Sequence, residues 1–112
     1  MMLLLQSVTL TADVSYVKQA AKGSVFTIFT IPNCAFSAIA RPKFEAVEDK
    51  FSDLQLFEFD CSQDFEYCKK IGVLGYPTFK LYNDRKMIGD FHPTWPRELE
   101  VFVEWLKMNN IK

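Results

Sequence analysis

Val25-Phe26-Thr27-Ile28-Phe29-Thr30-Ile31 is apolar or β-branched at every position and leads through Pro32-Asn33 into Cys34-Ala35-Phe36-Ser37. Such an uninterrupted run suits a strand buried on both faces, at the centre of a sheet with parallel pairing. The period then changes. Phe36, Ala40, Phe44, Val47 and Phe51 recur at helical spacing, which predicts a helix from Cys34 to Phe51. Pro42 falls inside it and predicts a kink, because its missing N–H and its ring disturb one turn without stopping the pattern. A central strand feeding a helix that begins on a cysteine places the chain in the α/β class and singles out that cysteine.

The flanking segments continue the alternation. Gln6 to Leu10 reads as a short strand, followed by a helix over Asp13 to Ala21 that Thr11 can cap and Lys22-Gly23 closes. Leu54 to Phe59 is a second central strand and Asp64 to Ile71 a short helix. Thr78 to Tyr82 and Lys86 to Phe91 flank Asn83-Asp84-Arg85 as a hairpin. Leu99, Phe102, Val103 and Leu106 stripe a closing helix that Thr94 can cap. The expected order is βαβαβαββα, a central mixed sheet of about five strands flanked by four helices. With no repeat, linker or low-complexity segment, residues 1–112 are expected to form a single domain.

Composition narrows the partners. The 112 residues carry 13 Lys+Arg against 14 Asp+Glu, a net charge of −1, and about half of them are apolar, enough for a real core. The basic residues are scattered, so no stripe suits nucleic acid. No apolar run reaches membrane-spanning length, and no membrane contact by this chain is expected. Met1 to Leu5 is apolar but short and lacks a basic flank; it reads as a ragged strand start or a leader remnant. The C-terminal Asn109-Asn110-Ile111-Lys112 is not a retention tetrapeptide, so a secretory address is expected to lie outside this chain. His92 is the single histidine, which leaves a metal site the weakest reading of the cysteines, and Trp95 and Trp105 read as packing residues.

Cys34 with Pro42 eight residues on, Gly75-Tyr76-Pro77-Thr78 before the hairpin, and Phe59-Asp60-Cys61-Ser62-Gln63-Asp64-Phe65-Glu66-Tyr67-Cys68 followed by Gly72-Val73-Leu74 together resemble the thioredoxin superfamily. The closer resemblance is to an a-type domain of protein disulfide isomerase, and it spans about Val8 to Leu106. It implies a thioredoxin-like fold, a cis proline at Pro77 facing the Cys34 sulfur, and a structural disulfide between Cys61 and Cys68. A bridge across that spacing is worth roughly 2 to 3 kcal/mol in an oxidising compartment; in a reducing one the two would be ordinary thiols. The resemblance also implies a groove where an extended client pairs beside Tyr76.

The departures bear on chemistry. A cysteine at a helix N-terminus is favoured as thiolate by the dipole and the free amides. Yet the second thiol that would resolve a mixed disulfide is replaced by Ser37, the usual intervening pair by Ala35-Phe36, and the buried carboxylate six residues before the nucleophile by Ile28. Ser37 either donates to the Cys34 sulfur or satisfies a first-turn carbonyl. Asn33 stands in place of an aromatic residue and can cap the helix, for about 1 kcal/mol. The expected catalytic residues are Cys34 and Ser37, and the expected client-binding residues Asn33, Phe36, Tyr76 and Pro77. The expected activity is isomerase-type exchange through a single nucleophilic cysteine on unfolded or disulfide-containing client polypeptides in the endoplasmic reticulum lumen or secretory pathway. No bound cofactor is called for, glutathione being a candidate co-substrate, and the chain is expected to be one domain of a larger multidomain protein. The alternative is a redox-inactive or client-trapping chaperone that holds polypeptide in the same groove.

Overall fold

The computed structural model of the chain describes residues 22–112. The strand expected over Gln6 to Leu10 and the helix over Asp13 to Ala21 lie outside the described residues. The rest forms β1 (Ser24–Thr30), α1 (Ala35–Glu45), β2 (Leu54–Asp60), α2 (Phe65–Lys70), β3 (Thr78–Asn83), β4 (Lys86–Asp90) and α3 (Leu99–Met108). The strands make one mixed sheet in the order β2-β1-β3-β4, with β1 and β2 parallel and the other two pairings antiparallel. The fold is the thioredoxin-like α/β arrangement.

β1 is buried from Val25 to Thr30 because both faces of the sheet are covered, which explains a run without polar alternation. Phe26 and Ile28 pack with Phe44, Phe79, Phe102 and Trp105 under α1 and α3. Val25 and Phe29 face the other way, onto Phe57, Phe59, Cys61, Cys68 and Tyr82 beside α2. Rings dominate the first layer: Phe79 lies 4.8 Å from Phe102 and Phe26 lies 5.1 Å from Phe44, centroid to centroid. Such pairs add about 0.5–1.5 kcal/mol each beyond their buried area. Trp105 is core, whereas Trp95 is a partly exposed shoulder against Phe91.

Several boundaries differ from expectation for local reasons. α1 runs through Pro42 but ends at Glu45, and the chain continues as a 3₁₀ segment, Ala46–Lys50, before Phe51 turns extended. The N-cap position of α1 is Cys34, and no side chain caps it. Asn33 adopts φ 63°, the left-handed conformation that Asn tolerates best after Gly, so it turns the chain into the helix instead of capping it. Thr94 does not cap α3 either: Glu98 holds the N-cap position, and Thr94 engages His92 Nδ1 instead. Asp64 caps α2, accepting from the Tyr67 N–H at 2.9 Å. The hairpin closes on Asp84-Arg85 alone, both at positive φ, as a two-residue primed turn requires.

Ion pairs tie elements together, Lys43 of α1 to Glu98 at the head of α3 among them. Arg41 of α1 donates from both Nε and an Nη to the Glu58 carboxylate of β2, which also accepts from Thr30 Oγ1. Lys80, almost wholly buried in β3, donates to Asp90 of β4 at 2.9 Å.

Candidate functional site

β1 ends in the turn Pro32-Asn33 and delivers Cys34 to the head of α1. The thiol is free and half-buried. Its acidity is raised: the Ser37 hydroxyl exerts the largest pull, followed by the Ser37 amide, and the Phe36 amide and the positive charge of Arg97 add to it, while partial burial opposes them. All but burial favour the thiolate. Ser37 is buried, and its hydroxyl makes no hydrogen bond of ordinary geometry, to a first-turn carbonyl or to any other described group. A buried donor without a partner gains one when the neighbouring sulfur ionises, and that gain lowers the thiol's pKa.

Ile28 lies fully buried among the apolar residues under α1. The carboxylate of this region sits on β2 instead, as Glu58, and it is held by Arg41 and Thr30.

Across from the helix head, the loop between α2 and β3 carries the Tyr76–Pro77 peptide bond in cis form. Thr78 Oγ1 donates to the Gly75 carbonyl at 2.6 Å, and the Val73 N–H to the Cys68 carbonyl at 2.9 Å, so the loop is braced on both sides. Cys61 and Cys68 are bonded to each other, Cα to Cα 5.9 Å, and both sulfurs are buried beneath α2.

Between this loop and the segment after β4 runs an open groove of about 570 Å³. Phe36, Leu74, Tyr76, Pro77, Phe91 and Arg97 are among its walls. Phe36 is 65% exposed and Leu74 84%, large apolar side chains left facing solvent. Of the expected binding residues the fold thus brings Phe36, Tyr76 and Pro77 together, while Asn33 lies outside the walls. Cys34 adjoins the groove through Phe36, two positions on, and through Arg97, which lines it and acts on the sulfur. Sequence reading missed Arg97, Leu74 and Phe91. No local signal marks Arg97, which lies sixty-three positions beyond Cys34 and outside any periodic stripe. Among the described residues no cluster of His, Cys, Asp and Glu has the makings of a metal site.

The fold and the thiol at the mouth of its central strand define an α/β domain of the thiol-disulfide class. The chain matches the thioredoxin family over residues 7–108, and it belongs to that family. It is 31% identical over 86 residues to protein disulfide-isomerase A3 of Gallus gallus, covering 76% of this chain and 17% of that protein. With protein disulfide-isomerase of Aspergillus oryzae it shares 29% over 103 residues, 88% of this chain and 19% of the relative. The chain therefore spans less than a fifth of the length of these two relatives. Its fold superposes on the Trx4 domain of ERdj5 with TM-score 0.77 at 16% identity, covering 91% of this chain and 95% of that one. On the zinc-bound form of human ERp44 it scores 0.74 at 18% identity, covering 90% of this chain and 31% of that one.

Proposed function

We propose that this domain carries out thiol-disulfide exchange on client polypeptides through Cys34 alone, as a disulfide isomerase a-type domain with a Cys-x-x-Ser site. The observation that supports this best is a free, half-exposed thiol whose surroundings favour the thiolate, set beside an apolar groove. The Cys34 thiolate attacks one sulfur of a client disulfide. A Cys34–client S–S bond forms, the client S–S bond breaks, and the departing client thiolate takes up a proton. Cys34 has then lost the electron pair that the leaving sulfur gained. Ser37 cannot displace the client, so release needs attack by another client thiol or by glutathione, which regenerates Cys34 and conserves the number of disulfides. Such a site reshuffles bonds and does no net oxidation. Residues 1–112 act in this reading as one unit of a larger protein in the endoplasmic reticulum lumen, in keeping with the isomerase relatives and the Cys61–Cys68 bridge.

A second reading, retention of clients, draws on the buried serine in the resolving position and the exposed Phe36 and Leu74. The lifetime of a Cys34 mixed disulfide with a model peptide separates the two. Exchange predicts decay within minutes once millimolar glutathione is added, and retention an adduct that outlasts it. Absence of any adduct with wild type, under conditions where a small-molecule disulfide does react, would eliminate both covalent forms and leave non-covalent holding.

A further inference from the structure

Arg97 is half-buried in the wall of the groove, and its guanidinium makes no ion pair among the described residues. The acidic groups near it are otherwise engaged. Asp90, in the same wall, is bonded to Lys80, and Glu98, the next residue in the chain, to Lys43. The other walls are largely apolar or aromatic, Phe36, Leu74, Tyr76 and Phe91 among them, and they shield little of a cation's charge. A partly desolvated arginine with no carboxylate partner, presenting a planar fork of donors beside a nucleophilic sulfur, is the arrangement that receives a carboxylate.

We propose that Arg97 is a specificity-determining residue: the groove selects client polypeptides with an Asp or Glu side chain within two or three residues of the cysteine that Cys34 attacks. The client's apolar side chains lie against Phe36 and Leu74, and its carboxylate pairs with Arg97. This deepens the exchange reading and rests on it for the covalent step. The recognition itself is electrostatic and does not require the reaction.

The test uses the full chain and pairs of short disulfide peptides identical except for Glu, Gln or Lys beside one cysteine. Rates of mixed-disulfide formation are taken at their high-pH plateau, where Cys34 is fully ionised, and are divided by each peptide's rate with a simple monothiol. Wild type should favour Glu over Lys by about five- to tenfold, and the preference should shrink with added salt. Arg97→Gln should level the series and Arg97→Glu invert it, while Arg97→Lys keeps the sign with a smaller ratio because the fork is lost. A parallel titration of the same peptides with serine for cysteine, followed by tryptophan fluorescence, with Trp95 packed on the groove residue Phe91, reads the preference without any exchange. Equal rates and equal affinities across the series in wild type would overturn the proposal while leaving exchange intact. Peptide affinity that follows charge, with no exchange in any peptide, would instead support the recognition and refute the covalent reading.

Discussion

At the scale of single residues, the site depends on what surrounds one sulfur. Ser37 is the strongest influence on the Cys34 thiol, so Ser37→Ala should raise its pKa toward the usual cysteine range. The rate of alkylation by iodoacetamide against pH would show the midpoint moving up, with the plateau rate little changed; an unmoved midpoint would shift the credit to the Ser37 and Phe36 amides and Arg97. The position of Cys34 at a helix head was legible because a change from strand to helix period falls just before it. The state of the Ser37 hydroxyl was not. Whether a buried hydroxyl meets a carbonyl or is left without one depends on distances of a few tenths of an ångström, which residue type does not encode. Asn33 shows the same limit: as a cap or as a left-handed turn residue it is equally suitable, and the entry angle of the chain decided.

At the scale of elements, β4 and α3 are joined through a contact that tolerates no side chain. A Cβ at Gly89 would fall 2.8 Å from Trp105 Cζ2 and 3.0 Å from Cη2, against a ring held in the core. Gly89→Ala should destabilise the fold by about 1–3 kcal/mol, the usual range for overpacking, seen as a lower midpoint in urea with an unchanged slope. α3 also sets the far wall of the groove, since Arg97 lies two residues before its start. The existence of β1, α1 and α3 followed from periodicity and that of β3 and β4 from the turn between them, and the ends followed less well. α1 runs on through Pro42, and the last turns tighten into 3₁₀ geometry before Phe51. The caps of α1 and α3 were misplaced because polar residues near a helix start are plentiful and only chain direction selects among them.

At the scale of the whole molecule, two cysteines are spent on stability and one remains. Thiol counting on the folded, unreduced protein should give one reactive group, lost in Cys34→Ala. Replacing both Cys61 and Cys68 by Ala should cost about 2–4 kcal/mol of unfolding free energy, from the freed loop and two small voids. Alkali provides another check. Burial raises the Tyr82 phenol well above its ordinary range, so the unfolded chain gives up that proton first. Stability is then full below about pH 10 and falls as pH climbs above it, and Tyr82→Phe should flatten that fall in denaturant midpoints measured from pH 9 to 11. Sequence alone determined the α/β class, the strand that both layers cover, the cysteine at the helix head and the serine three positions after it. These are written in neighbouring residues, where period and spacing act over one or two turns of chain. Only the tertiary structure decided that Arg97 meets the groove beside Cys34 and that Glu58 is held by Arg41 and Thr30. Those relations join residues far apart in the chain, and they arise from how two helices and a loop settle on one sheet, where packing chooses the neighbours.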